Sequence, residues 1–203
     1  MRHLDRRRLM LGATALLMSG SIEDEAVADA VMDRAFYAFP SQGTNLWLRR
    51  SNGEEITTTF RTGSGYDQAQ ILALSWFMRD LADSDHAVWM EPRLFDLLAG
   101  VQAGLSAAKG AHVPLIVTSG YRTVAHNARI ESAARNSMHL YGYAADIEAP
   151  GFSPRAIALA ASFIGSGGIG LYDSFTHLDV WRARTWLGPS AHPGLPGSPT
   201  PKM

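Results

Sequence analysis

The sequence predicts an α+β domain in which an antiparallel sheet packs against helices. Segments with strand character and segments with helix character come in separate runs with hairpin-like links, which favours α+β over a doubly wound parallel sheet. Hydrophobic residues make up 46% and charged residues 18% of the 203 residues, and this balance supplies enough apolar material for a core. The length fits one domain with terminal extensions.

The folded part is predicted to begin with a β-hairpin. In residues 45–50 leucines alternate with polar side chains, and residues 55–61 form a run rich in β-branched side chains. Between them, Asn52-Gly53 supplies the positive-φ residues of a tight turn. Two such runs joined by such a turn indicate a hairpin.

Two amphipathic helices are predicted next. Asp67 can cap the first, and Pro92 is placed to open the second, which ends near Gly110. The apolar stripe of the first helix is Ile71, Leu74, Met78 and Leu81, and that of the second is Leu94, Leu97, Leu98, Val101 and Leu105.

The second half is predicted to alternate short strands with helices. Ser153-Pro154 is a cap followed by a first-turn proline, which begins a helix that runs to Ile164. The other predicted elements are a buried strand over 113–119, a helix over 124–135, a strand over 144–148, a glycine-rich loop over 165–170 and a final strand over 176–180.

Both termini differ in character from the domain. Residues 6–8 are arginines placed directly before a short apolar run over 9–18, a pattern that predicts a secretory signal over residues 1–30 and resembles the twin-arginine type. The alternative is an ordinary basic arm. The run is about half the length that spans a bilayer, roughly 20 residues. Residues 187–203 are rich in glycine and proline and are predicted to be disordered, which leaves residues 39–186 as the domain.

Composition excludes several classes of site. The chain has no cysteine, so disulfides, a thiolate nucleophile and cysteine-bound zinc are all excluded. A formal net charge of -1 gives no reason to expect a nucleic-acid partner, which usually requires a basic face. After removal of the signal we expect no membrane span. We also expect a monomer.

Three residues form a candidate metal site. A catalytic zinc uses three protein ligands and one open position, and His139, Asp146 and His177 supply two imidazoles and a carboxylate near strand or loop ends. Taken singly, each of these residues is as typical of an ordinary strand surface as of a metal site. Asp179 lies two residues after His177 and points to the same face of a strand, where it can orient a ligand histidine or act on the water.

The motifs around these residues resemble a known superfamily. Five motifs occur in this order: Ser119-Gly120-Tyr121-Arg122, Asn127, a Ser-x-His-x-x-Gly-x-Ala-x-Asp stretch over 137–146, Gly-x-Gly over 168–170 and His-x-Asp-Val over 177–180. This pattern is similar to that of the zinc D-alanyl-D-alanine carboxypeptidases, and most similar to their YcbK-like murein endopeptidase branch. The resemblance covers about residues 45–181.

The resemblance implies a fold of the D-alanyl-D-alanine peptidase and hedgehog type with one zinc per chain. His139, Asp146 and His177 match the zinc ligands, and Arg122 matches the arginine that meets the substrate. Ser137 matches a polar residue at the border of the site, and we also expect Tyr121 to line it. The implied substrate is the peptide part of murein, in the periplasm or cell envelope.

One position departs from the superfamily pattern. Several branches carry a Glu or His general base three residues before the last zinc histidine, where this chain has Ser174. Asp173 is the nearest replacement, and Asp179 is the second candidate for a catalytic carboxylate. The expected activity is endopeptidase cleavage of murein stems or cross-links. The alternatives are a D,D- or L,D-carboxypeptidase and a non-catalytic zinc module that binds wall peptide.

Overall fold

A single mixed sheet organises the part of the chain described by the computed structural model, residues 44–130 and 133–188. Eight strands and four α-helices lie in this part, so the predicted α+β class is confirmed. The strands are β1 (Thr44–Arg49), β2 (Glu55–Thr62), β3 (Gly65–Tyr66), β4 (Leu115–Ser119), β5 (Ala144–Glu148), β6 (Gly168–Leu171), β7 (Thr176–Asp179) and β8 (Arg184–Leu187). The α-helices are α1 (Gln68–Phe77), α2 (Pro92–Lys109), α3 (Val124–Arg129) and α4 (Pro154–Ile164), and a 3-10 turn covers Met138–Tyr141.

The strands lie in the order β3-β2-β1-β4-β5-β7-β6-β8. Neighbouring strands are antiparallel except for two parallel pairs, β1 with β4 and β6 with β8. The predicted hairpin is confirmed as β1 and β2, which pair from Thr44 to Arg49. β5 and β7 lie inside the sheet, and both are buried along almost their whole length.

Three of the four α-helices, α1, α2 and α4, cover one face of the sheet. α1 packs against β2, α2 against β1, and α4 against β6 and β7, while α2 and α4 also pack against each other. Side chains of alternate strand residues, such as Ala145, Ile147 and Leu178, point into this apolar core. The residues between them, Asp146, His177 and Asp179, are also buried but polar. The opposite face of β5 and β7 therefore holds a buried polar cluster.

The helix boundaries follow from their caps. α1 begins where the Asp67 carboxylate accepts from the backbone amides of the first turn, and α2 runs from Pro92 to Lys109 with Gly110 as its left-handed C-cap, as predicted. The prediction that α1 reaches Leu81 is wrong. The Arg50 guanidinium donates to the carbonyl oxygens of Phe77 and Arg79 and ends the helix there.

Four predictions for the second half are corrected. The helix predicted over 124–135 ends at Arg129, because Ile130 adopts an extended conformation. Within the predicted glycine-rich loop, Gly168–Leu171 forms β6, and β7 is not the final strand because β8 follows it. β4 starts at Leu115 rather than at 113, while β5 and α4 have the predicted bounds.

The predicted signal over 1–30 lies outside the described residues, and so do residues 189–203 of the tail predicted over 187–203. The first residue of that predicted tail, Leu187, is instead the last residue of β8. Within the described part, no helix combines the length and the apolar character that crossing a membrane requires.

Candidate metal centre

Three separate elements place the candidate metal ligands. His139 lies in the 3-10 turn that leads into β5, Asp146 lies in the middle of β5, and His177 lies opposite Asp146 on β7. Each of the three is at least 94% buried. Because β5 and β7 are antiparallel neighbours, Asp146 and His177 face the same side of the sheet, and the 3-10 turn brings His139 over them.

Their potential ligand atoms form a nearly equilateral triangle. Nε2 of His139 is 3.1 Å from Oδ1 of Asp146 and 3.0 Å from Nδ1 of His177, and the remaining side is 2.9 Å. Atoms bound tetrahedrally to zinc at its usual bond lengths lie about 3.3 Å apart. The arrangement needs only a few tenths of an ångström of expansion to hold such an ion, so the residues fit a metal of this size.

The outward-facing ring nitrogens show which atoms are free to bind. Nδ1 of His139 is 2.6 Å from the carbonyl oxygen of Gly120, which can only accept a hydrogen bond, so this nitrogen carries the proton. Nε2 of His177 likewise donates to Asp179, at 3.2 Å. In the neutral tautomers the two inner nitrogens therefore present lone pairs toward Asp146. Three acceptors converging in a buried space favour a cation between them.

The pKa values of Asp146 and His177 indicate the same preference. Burial lowers the pKa of His139 in spite of the neighbouring carboxylate. Burial raises the pKa of Asp146, but the charge and hydrogen bonds of the two histidines outweigh it and hold the pKa well below its usual range. For His177, burial lowers the pKa, and hydrogen bonds to Asp146 and Asp179 more than reverse this and raise it. The cluster thus holds an ionised carboxylate and stabilises positive charge.

Asp179 supports the site from behind. It is fully buried, and besides His177 it accepts from the backbone amides of Gly168 and Trp181, both at 2.9 Å, and from the guanidinium of Arg184. Burial raises its pKa, but the hydrogen bonds from His177, Arg184 and Trp181 lower it to about 2 overall. Both carboxylate oxygens already accept hydrogen bonds. Asp179 is therefore suited to hold the His177 ring in place rather than to accept a proton from water.

Arg122 lies beside the ligand carboxylate. Its Nε donates to Oγ of Ser119 at 2.7 Å, and its Nη2 donates to Oδ2 of Asp146, the oxygen that does not face the histidines. The Arg122 side chain is 13% exposed. A cation at this position fixes the carboxylate rotamer and adds positive charge at the border of the site.

Sequence comparison identifies the family of this chain. The family model described as "Peptidoglycan L,D-endopeptidase MepK" matches residues 42–186. The chain belongs to this family.

Relatives of the chain carry the same description. It is 34% identical over 140 residues to peptidoglycan L,D-endopeptidase MepK of Escherichia coli (strain K12), a match that covers 66% of this chain and 74% of that protein. It is 29% identical over 189 residues to a probable peptidoglycan L,D-endopeptidase MepK of Haemophilus influenzae, which covers 90% and 95% of the two chains. The chain is accordingly a metal-dependent peptidase of the peptidoglycan endopeptidase family.

The other residues singled out in the sequence occupy different positions. Ser137 is half-buried at the start of the 3-10 turn. Tyr121 is partly buried and packs against the core. Asp173 and Ser174 are exposed in the turn between β6 and β7, and within the described residues Asp173 forms no hydrogen bond or ion pair with His139, Asp146 or His177. Their predicted roles remain predictions.

Two site residues were missed by sequence reasoning. The Trp186 ring lies 5.1 Å from the His177 ring, and Arg184 completes the hydrogen bonds of Asp179. Both belong to β8, which follows a turn and ends where the glycine-rich tail begins. The alternation Arg184-Thr185-Trp186-Leu187 was the available signal, but a run of four residues is too short to separate from a loop.

Proposed function

We propose that this protein is an exported zinc-dependent L,D-endopeptidase that cleaves peptide bonds in murein stems or cross-links. The observation that carries the proposal is the buried triangle of His139, Asp146 and His177, whose outer ring nitrogens are already bonded. Membership of the family and the printed activity of the two relatives support the substrate.

Zinc is the metal that this donor set suits best. Two imidazoles, one carboxylate and an open fourth position are typical of catalytic zinc sites, whereas calcium and magnesium prefer oxygen ligands alone. Zinc bound in such a site polarises a carbonyl group and lowers the pKa of a water molecule to about 7. We expect one zinc per chain.

The residues of the chain supply orientation and charge. The Gly120 carbonyl and Asp179 hold the histidine protons on the outer nitrogens, so that the inner nitrogens stay available. Arg122 holds Asp146 and places a cation at the edge of the site, where it offsets negative charge that develops on the attacked carbonyl oxygen. Ser137 and Tyr121 are proposed to border the bound peptide.

The contacts of Arg122 favour endopeptidase over carboxypeptidase activity. A carboxypeptidase must recognise a free terminal carboxylate, and Arg122 is the basic side chain nearest the ligands. Its Nε and Nη2 are already committed to Ser119 and Asp146. A neutral peptide carbonyl needs fewer N–H donors from this guanidinium than a bidentate carboxylate does.

We propose Asp173 as the general base. Its carboxylate is exposed in the β6–β7 turn, four residues before His177. Asp179 has no free oxygen, as described above, so it acts as a positioning residue for His177.

Product analysis tests the proposed function. Cross-linked murein is incubated with the zinc-loaded protein, and the released fragments are identified by mass spectrometry. We expect new ends at bonds between an L- and a D-centre. Release of single terminal residues only would show a carboxypeptidase, and binding of murein and zinc without any release by wild type would show a non-catalytic module. His177→Ala, which lacks a ligand, is the matched control.

Export is proposed to use the arginines at positions 6–8. Replacing Arg6, Arg7 and Arg8 together with lysine keeps the charge and removes the twin-arginine signal. We expect the variant to stay in the cytoplasm, as measured by cell fractionation against a co-expressed periplasmic marker. Normal periplasmic accumulation would show the general secretory route.

A further inference from the structure

Arg122 lies in a short irregular link, so its position must be fixed by other parts of the chain. Residues 120–123 join β4 to α3 without regular structure. An added Cβ at Gly120 would lie 2.3 Å from the Met78 carbonyl oxygen, so the link packs directly on the segment after α1. The segment after α1 therefore helps to fix the position of Arg122.

Three consecutive amides of the link bond to three different partners. The amide of Tyr121 donates to the Met78 carbonyl at 2.8 Å, and that of Arg122 donates to the His139 carbonyl at 3.3 Å. The amide of Thr123 donates to a side chain, Oδ2 of Asp80, at 2.9 Å. Asp80 is thus the side chain that fixes the backbone directly after Arg122.

Asp80 also holds the helix that follows. Nδ1 of His126, in the first turn of α3, lies 2.8 and 2.9 Å from the two carboxylate oxygens of Asp80. The Asp80 side chain is 2% exposed, and its own backbone is fixed by a 2.8 Å hydrogen bond from its amide to the His86 carbonyl. A buried carboxylate with several donors is rigid, because breaking any of these bonds leaves a buried charge less well solvated.

We propose that Asp80 is a positioning residue that sets Arg122 against the metal-binding carboxylate, with His126 as its second point of attachment. Asp80 accepts hydrogen bonds from the Thr123 amide and from His126 of α3. These bonds fix the backbone next to Arg122, and the Arg122 guanidinium in turn donates to Oδ2 of Asp146. Asp80 touches neither substrate nor metal ligand in this arrangement. The inference rests on the proposed role of Arg122 in peptide cleavage.

A double-mutant cycle separates this role from a general effect on folding. Turnover of cross-linked murein is compared for wild type, Asp80→Asn, Arg122→Ala and the double variant, all at saturating zinc. Misplacement of a catalytic group by about 1 Å can lower turnover by about 100-fold, so we expect Asp80→Asn to reduce kcat by about 10- to 100-fold. In the Arg122→Ala background the same substitution should reduce kcat less than about twofold, because residues that act through one another are not additive.

Matched variants control for charge and for folding. Asp85→Asn makes the same chemical change in the same loop, at an exposed residue that pairs with Arg79 instead, and should leave kcat unchanged. His126→Leu should lower kcat severalfold, whereas His126→Gln, which keeps an N–H donor, should retain most of it. These two variants test the same attachment if Asp80→Asn does not fold. Equal losses of kcat with and without Arg122 would overturn the inference.

Hydrogen exchange tests the attachment independently of activity. If wild type cleaves no murein, the proposed function fails, but the amide of Thr123 should still exchange at least about tenfold faster in Asp80→Asn than in Asp85→Asn. Unchanged exchange of that amide would overturn the positioning role even in an active enzyme.

Discussion

Asp173 and Asp179 carry the same carboxyl group in opposite environments. Asp179 is fully buried and accepts from His177, Arg184 and two backbone amides, which lower its pKa to about 2. Asp173 is exposed in a turn. The sequence ranks Asp173 first only because it lies next to position 174, and both carboxylates lie within four residues of His177. Burial and hydrogen bonding separate them: Asp179 is held in place beside His177, whereas the Asp173 side chain is open to solvent.

This difference gives opposite expectations for the two isosteric variants. Asp179→Asn removes the negative charge that orients His177, so we expect metal affinity to fall by about 10- to 100-fold, with activity recovered in part by excess zinc. Asp173→Asn should keep its zinc and lose turnover by about 10²- to 10⁴-fold, the usual contribution of a positioned base. Zinc titration and murein turnover are measured on both.

Both variants are assayed at saturating zinc so that metal loss is not counted as loss of a base. Circular dichroism checks that Asp179→Asn is folded, because Arg184 loses its charged partner there. A fully metallated but inactive Asp179→Asn, together with an unaffected Asp173→Asn, would assign the base to Asp179 instead.

At the level of elements, β6 shows how a glycine-rich segment becomes a strand. Gly170 lies opposite His177 on β7, and on its other side β8 supplies Trp186. A Cβ on Gly170 would lie 2.5 Å from the Trp186 indole. The glycine is required by close packing of the ring, and the ring in turn lies against His177.

Gly170→Ala should therefore destabilise the domain and disturb the metal site together. Adding one methyl group to a packed interior costs about 1–3 kcal/mol, and we expect a loss of this size in the free energy of unfolding, with weaker zinc binding because Trp186 must move. Gly63→Ala is the matched control: its Cβ would meet nothing within 4 Å, so stability should stay within about 1 kcal/mol of wild type. Urea unfolding measures both. Equal stability of the two variants would contradict the packing argument.

Elements with strong local signals were predictable from the sequence, and elements defined by packing were not. α2 has Pro92 at its start and Gly110 after its end, so its first residue and the approximate position of its end were both predictable. By contrast, the glycines of β6 are typical of loops, and only the Trp186 ring from a later strand explains them. The apolar stripe of α1 continues to Leu81 and predicts a longer helix, whereas the observed end is fixed by Arg50, which directly follows β1.

The same division holds for the site at the scale of the whole molecule. His139, Asp146, His177 and Arg122 were singled out from motifs, and the fold brings them together. Asp80 was not singled out, because it lies 43 residues from Thr123 along the chain and belongs to no recognisable local motif. Contacts of this length depend on tertiary structure, which a reading of neighbouring residues cannot supply.

The metal should also stabilise the domain as a whole. The three candidate ligands come from the 3-10 turn, β5 and β7 and span residues 139–177, so an ion bound by them would cross-link the middle of the sheet to the segment that precedes β5. Without the ion, the inner nitrogens and the Asp146 carboxylate face one another in a buried space. An ion that binds the folded chain far more tightly than the unfolded chain must raise the free energy of unfolding.

We therefore expect zinc removal to lower the melting temperature. Zinc at 100 times its Kd contributes about 2.7 kcal/mol, which corresponds to a shift of about 5–10 °C for a domain of this size. Calorimetry of the protein after chelation, and after zinc is restored, measures the shift. In His177→Ala, which loses one corner of the triangle, added zinc should give a much smaller rise. An equal rise in wild type and His177→Ala would place the stabilising metal elsewhere and contradict the assignment of these three ligands.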